Sequence, residues 1–389
     1  MSNVAEGPVY ELLKNSIKEL GSINFDTFMD IALYSQNGYY NTQEPFGKSG
    51  DYYTSPILHP AFSSFVALQL HHMWEILGRP NPFTVIEIGS GCGVMARDII
   101  SSLALSKTKC IDSLRYLAFD RISQKNTPEE IETIISETVS ETFATGVVIS
   151  NELIDALPAK MVEIHDNEIQ EIRVGIDPQN RIIETLDKNR EESPELRSIV
   201  GDTSDIEGYR GPVRCGIEEW MANISKVLSK GFLLTIDYGF ENSIYYSLNK
   251  SHRLLQTYFD HIETSNPYQK VGLQDITAHV DFTHFSSCAA DVGFRSLALI
   301  SQRDWLNDLH FKEFINRDLR GGKVSPRELN FIRMLINPEG LGGFKVDVQE
   351  LNTGIQNYDE LIPDDVVSRN IWKLPKFSKL HMGGQLFQD

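Results

Sequence analysis

The sequence predicts an α/β protein: a Rossmann-like, mostly parallel sheet with an antiparallel edge strand, an N-terminal helical region and insertions. Three observations predict it. First, Thr84-Val-Ile-Glu-Ile-Gly-Ser-Gly-Cys-Gly-Val-Met-Ala-Arg97 joins a β-branched run to three glycines, followed by a helical pattern of Val94, Met95, Ile99, Ile100 and Leu103. Strand, glycine turn and helix open a nucleotide-binding α/β unit. Second, apolar runs at 114–119, 147–149 and 231–236 end in Asp120, in Ser150-Asn151-Glu152 and in Asp237-Tyr238. Buried strands with polar carboxyl ends are how an open parallel sheet presents a ligand crevice. Third, residues 297–301 and 344–348 read as an antiparallel pair.

The totals narrow the classes. A chain of 389 residues buries a large core as one domain or two. The expected division is a helical region with a lid loop at 1–83, a core at 84–351 with insertions near 160–214 and 240–290, and a tail at 352–389. A net charge of −18 argues against non-specific binding to nucleic acid or anionic lipid and suits a basic acceptor. The four cysteines show no short ligand spacing, so a reducing compartment and no metal are expected. The first thirty residues show no signal or transit pattern, and no apolar run is long enough to cross a bilayer. A soluble cytoplasmic protein is expected.

In chain order, residues 8–35 read as two amphipathic helices, stopped at Gly21 and restarted at Asn24. Residues 46–56 break the pattern in a loop rich in Gly, Tyr and hydroxyls. Such loops carry binding more often than packing, and Asp51 and Thr54 are its lid candidates. Residues 60–78 return to a helix. The glycine turn then discriminates between cofactors. A dinucleotide turn has glycines at its first, third and sixth positions; here Gly89, Gly91 and Gly93 are first, third and fifth, and Val94 is sixth. Glu-x-Gly-x-Gly-x-Gly resembles the cofactor loop of class I S-adenosylmethionine (SAM) methyltransferases. SAM has no pyrophosphate and needs close backbone approach, which glycine permits.

Asp120, at the end of the second strand, either receives ribose hydroxyls or caps a helix. Residues 127–143 are acidic and predicted helical. Glu152 and Asp155 share a face if a helical turn follows the third strand; the alternative is a cap pair. Residues 160–214 form a charged insertion, with a hairpin across Asp166-Asn167 and a polar, mobile stretch at 187–205. Residues 216–228 and 285–292 are helical. His279 lies between Asp275 and Asp281, which would hold it and make it more basic. The tail after Leu351 shows no motif.

Six motifs now stand in order: Gly50-Asp51 with Thr54-Ser55-Pro56; Glu87 to Gly93; Asn151-Glu152-x-x-Asp155-Ala156-Leu157-Pro158; Asp237-Tyr238-Gly239; Asp275-Ile-Thr-Ala-His-Val-Asp-Phe282; and Phe344-Lys345-Val346. From about Leu13 to Val348 the chain resembles the MidA-like methyltransferases, the family of the mitochondrial complex I assembly-factor arginine methyltransferase. The resemblance implies a class I methyltransferase fold, SAM as cofactor and, in the eukaryotic branch, a protein arginine acceptor such as that of a respiratory-complex subunit. A small-molecule acceptor and a non-catalytic assembly chaperone are the alternatives. The cofactor residues are then Asp51, Thr54, Glu87, Gly89, Gly91, Gly93, Asp120 and Asn151; the catalytic candidates are Glu152, Asp155 and His279. The chain departs from the family at Ile57, usually glutamate, and at Cys92, usually arginine.

Overall fold

The computed structural model describes residues 7–43, 53–121, 132–135, 144–186, 192–260, 262–264, 266–320, 325–364, 371–376 and 381. The chain divides into two compact units. One holds residues 53–153, 219–238 and 288–389; the other holds 1–52, 154–218 and 239–287. By this division residues 53–83 group with the glycine turn, and residues 160–214 and 240–287 group with the N-terminal helices.

The unit that contains the glycine turn is built on a seven-stranded sheet. Its strands are β1 (Phe83–Ile88), β2 (Leu114–Asp120), β3 (Glu132–Ile135), β4 (Ala144–Asn151), β5 (Leu228–Asp237), β6 (Arg295–Ser301) and β7 (Lys345–Leu351), in the order β6-β7-β5-β4-β1-β2-β3. From β3 to β5 the neighbours are parallel. β7 runs antiparallel to both β5 and β6. The expected antiparallel pair forms, but β7 lies inside the sheet and β6 is the edge. The chain moves from β1 out to β3, then returns to β4 on the other side of β1. The carboxyl ends of β1 and β4 are thus a topological switch point, where open α/β sheets bind ligands.

The strands read as unbroken apolar runs because both faces are covered. On one face, Phe83, Val85, Val147, Ile149, Phe232, Leu234, Val346 and Val348 pack with Phe62, Phe65 and Trp74 of helix Pro60–Ile76. The described tail joins this core. Trp372 is buried, and its indole N–H donates to the Ser64 carbonyl (3.0 Å). Residues 127–143 depart from the helical expectation: Glu132–Ile135 is the parallel edge strand β3, and the remaining residues of that stretch up to 143 lie outside the described set. A short edge strand pairs on one side only and lacks the long apolar run that identifies a central one.

The other unit contains helices Pro8–Leu20 and Phe25–Tyr34 and a five-stranded antiparallel sheet. Its hairpin Lys160–His165/Glu168–Ile176 turns at Asp166 and Asn167, both at positive φ as a tight hairpin turn demands. Asn24 sits at the expected helix start, but its side chain makes no cap bond; it accepts instead from Arg173. Within 187–205, helix Pro194–Val200 replaces part of the expected mobile stretch. Ser193 caps it, and Leu196, Ile199 and Val200 are buried. Residues 187–191 lie outside the described set.

Candidate active site

The site begins where β1 ends. Gly89, Gly91 and Gly93 all adopt positive φ (75°, 51° and 70°), a region that side-chain-bearing residues avoid. A Cβ at Gly89 would also lie 2.7 Å from Leu153 Cδ1. The Gly89 and Ser90 N–H groups donate to the Phe119 carbonyl (2.9 and 3.1 Å), which ties the turn to β2. The Gly91 N–H donates to Asp120 Oδ2 (2.9 Å), so the carboxylate at the end of β2 faces the glycine turn. Gly93 precedes helix Val94–Leu105 as its cap residue.

Glu87 lies beneath this turn at 2% exposure. The register that pairs Val85 with Tyr116 brings the Tyr116 hydroxyl to Glu87 Oε2, to which it donates at 2.8 Å. Burial pushes the Glu87 carboxyl up to about 8; the Tyr116 bond opposes the rise and the Asp120 charge adds to it. Burial likewise lifts the Cys92 thiol. Ile57, at the position of the family's glutamate, is buried, and so is Leu58. His59 caps helix Pro60–Ile76 by accepting from the Ala61 N–H (2.9 Å).

At the end of β4, Asn151 Nδ2 donates to Glu152 Oε1 (3.0 Å), while Asn151 Oδ1 is buried with no partner among the described residues. Glu152 has left the strand at φ 50° and donates its N–H to the Ile236 carbonyl of β5 (2.8 Å). Its Oε1 also accepts from the Ser55 N–H (3.4 Å). Thr54 is buried beside Ser55, at the start of the turn Ser55–Leu58. Asp51 lies outside the described residues. Ser55 and Tyr116 carry no sequence signal for these roles, because each acts through a partner far along the chain.

The expected helical face shared by Glu152 and Asp155 does not form. Glu152 is left-handed, and only Ile154–Ala156 forms a short 3-10 turn. Asp155 and His279 belong to the other unit, where buried Arg214 gathers their backbone carbonyls: it donates to those of Asp155 (3.0 Å), Leu157 (3.1 Å), Ala278 (2.7 Å) and His279 (3.2 Å). His279 stacks on Phe240, with ring centroids 5.4 Å apart, and its Nδ1 lies 3.2 Å from the Leu254 carbonyl. The flanking carboxylates face other groups: Asp275 accepts from Tyr40 and from the Ile276 N–H, and Asp281 from the Thr283 and His284 N–H groups. His279 is therefore not made more basic. Burial pushes its pKa down to about 4.

These residues suit SAM. The glycines allow close backbone approach, Asp120 faces the turn, and Asn151 Oδ1 is a buried acceptor without a donor among the described residues. The parallel ladder with one reversed strand and this turn define the class, an α/β SAM-dependent methyltransferase fold. The profile of a family of S-adenosyl-L-methionine-dependent methyltransferases matches residues 65–300, well over half the chain, and the chain belongs to that family. The fold is similar to that of a COG1565 superfamily member from Burkholderia thailandensis, solved bound to S-adenosyl-homocysteine: TM-score 0.80, 24% identity, 92% of this chain and 97% of that one. Among curated proteins, the chain is 25% identical over 320 residues to the Drosophila melanogaster "Protein arginine methyltransferase NDUFAF7 homolog, mitochondrial", covering 71% of this chain and 68% of that one. It is 24% identical over 384 residues to the Homo sapiens "Protein arginine methyltransferase NDUFAF7, mitochondrial", covering 87% and 82%. Among the described residues, no helix is long and apolar enough to cross a membrane.

Proposed function

We propose that this methyltransferase modifies an arginine side chain of a protein, with Glu152 orienting the acceptor. The carrying observation is the Glu152 backbone, held left-handed at the carboxyl end of β4 and anchored by its N–H on Ile236. A non-glycine residue held there by its surroundings marks a functional position. A carboxylate matches the fork of donors on a guanidinium, and the curated relatives are named for arginine methylation. The charge of −18 suits a basic protein acceptor, a respiratory-complex subunit included.

Bound cofactor supplies a methyl group already activated on a sulfonium. The chain's own task is placement and exclusion of water. Glu87 would hold the cofactor's ammonium, and Asp120 its ribose hydroxyls. Gly89, Gly91, Gly93 and Asn151 would line the amino-acid end, and Thr54, with Asp51 on sequence grounds, would cover it. As the N–C bond formed and the sulfonium S–CH₃ bond broke, the guanidinium would lose one N–H proton, and Glu152 would be its acceptor. Asp155 and His279 are proposed as a second carboxylate and a base on sequence grounds alone. With Nδ1 donating to Leu254, neutral His279 keeps a lone pair on Nε2.

The test is incubation with methyl-tritiated SAM and a total protein extract, followed by hydrolysis and amino-acid analysis. Label in methylarginine is expected, and it falls at least tenfold with Glu152→Gln. Label confined to small extractable products overturns the reading in favour of a small-molecule acceptor. The four free cysteines support a reducing compartment such as the cytoplasm. The relatives are named mitochondrial, and cell fractionation decides between the two.

A further inference from the structure

We infer that Gln302 and Ser55 form a buried positioning relay that sets the Glu152 carboxylate; the inference rests on Glu152 being the acceptor-orienting group. Gln302 begins helix Gln302–Asp308, directly after β6, and is fully buried. Three bonds fix it. Its N–H donates to the Phe344 carbonyl (2.7 Å), its Nε2 to the Leu335 carbonyl (2.8 Å), and its Oε1 accepts from Ser55 Oγ (3.1 Å). The carbonyl of Leu335 accepts only, so the amide cannot flip: its NH₂ must face Leu335 and its oxygen must face Ser55. The Ser55 hydroxyl proton is thereby committed to Gln302.

The consequence passes to Ser55's backbone. Ser55 is fully buried at the start of the turn Ser55–Leu58, and its N–H is the group that addresses Glu152 Oε1 (3.4 Å). The second donor to that oxygen, Asn151 Nδ2, comes from β4 itself (3.0 Å). One oxygen of Glu152 is therefore held from two directions. One hold comes from its own strand, the other through Ser55 from a residue on the far edge of the sheet. Two donors that reach one oxygen from different directions fix the orientation of the carboxylate plane, and a guanidinium fork requires a fixed plane. Neither Gln302 nor Ser55 is a catalytic residue on this account; both act through Glu152.

Two measurements test it. In the Ser55 amide resonance of the full-length protein, titration of Glu152 should appear as a pH-dependent shift that Glu152→Gln abolishes and that Gln302→Met or Ser55→Ala diminishes. This readout needs no acceptor. The second measurement is a double-mutant cycle on the initial rate of tritium transfer from SAM into a total protein extract. Ser55→Ala should lower that rate about tenfold with SAM affinity within about twofold of the parent, and should have less than a twofold effect in the Glu152→Gln background. An equal loss in both backgrounds, or no loss in either, overturns the relay. A Ser55 resonance blind to Glu152 overturns it as well, whatever the acceptor. Unchanged transfer by Glu152→Gln alone, with the resonance coupling intact, overturns the functional reading of Glu152 and the relay's use in turnover together. Ser55→Ala stands in should Gln302→Met fail to fold.

Discussion

The proton on Glu87 makes the cofactor's arrival measurable. Burial, with the Asp120 charge added, outweighs the Tyr116 bond and lifts this carboxyl to about 8. At pH 7 roughly nine molecules in ten hold it neutral. The proposed pairing with the cofactor's ammonium requires the charged form, so on that proposal binding expels the proton. About 0.9 protons should leave per SAM bound at pH 7, and the dissociation constant should fall about tenfold from pH 6 to pH 7. The free protein's opposing term at pH 7 is one unit, about 1.4 kcal/mol. This range stays below the ordinary α-amino pKa of about 7.7, so the ligand remains charged throughout. The assay is calorimetric titration with SAM in buffers of different ionisation enthalpy, where the slope of apparent enthalpy against buffer enthalpy gives the proton count. Glu87→Gln should give a zero slope and a flat pH profile. Tyr116→Phe removes the one bond that favours the charged carboxyl, so its release should approach one proton and its binding at pH 7 should weaken. A zero slope in the parent, or a proton still released by Glu87→Gln, refutes the reasoning.

Three further outcomes are expected. Asp347 is fully buried, accepts from Gln349 Nε2 (2.7 Å) through one oxygen, leaves the other without a partner among the described residues, and is pushed up to about 7 by burial. Its folded pKa exceeds the unfolded value of about 3.9, so the folded form binds the proton more tightly and stability falls as pH rises from about 4 through 7. Asp347→Asn should remove that slope in denaturant melts, with an advantage approaching the order of 4 kcal/mol above pH 7 and none near pH 4; parallel parent and variant profiles would refute this. Gly89→Ala places a methyl 2.7 Å from Leu153 Cδ1 at a φ of 75°, so calorimetry should show SAM affinity falling at least tenfold while the far-ultraviolet dichroism is kept. Arg214→Met removes a donor from four carbonyls, of which that of His279 keeps the Tyr245 hydroxyl, and denaturant melts should show a loss on the order of 3 kcal/mol.

What the sequence shows and what it hides divide along physical lines. The turn from Gly89 to Gly93 is legible because only glycine accepts three left-handed positions in five residues. The polar ends of β2, β4 and β5 are legible because apolar runs that stop in Asp120, Asn151 and Asp237 announce where a buried strand surfaces. Helix Pro194–Val200 is hidden by the charges around it, although Ser193 followed by Pro194 is a sound start signal. β3 is hidden because an edge strand needs few apolar residues. The partners of Glu87 and Glu152 are hidden for a different reason. Tyr116 reaches Glu87 only once β1 and β2 adopt their register, and Gln302 reaches Ser55 across 247 residues of chain. Local pattern specifies strands and turns; it carries no information on which distant side chain completes a hydrogen bond. The expected hold of Asp275 and Asp281 on His279 fails for the same reason, since both aspartates beside it in sequence accept from other groups.

The charges at the turn also bear on why this β1–turn–helix unit takes SAM and not a dinucleotide. In a dinucleotide fold the turn and the helix N-terminus receive a doubly charged pyrophosphate. Here Asp120 points its carboxylate at the Gly91 N–H, a group that a phosphate would otherwise claim. Glu87 lies below, and the Asp120 charge already raises its pKa. A polyanion placed there would meet Asp120 at hydrogen-bonding range. A ligand with a sulfonium and an ammonium reverses the sign: it offsets the Asp120 charge and offers the buried, protonated carboxyl a reason to ionise. Val94 agrees, because it holds the sixth position as a buried core residue where a dinucleotide turn needs glycine for close packing. Asp120→Asn should therefore weaken SAM binding without creating any for NAD, since Glu87 and the packing of Val94 stay as they are.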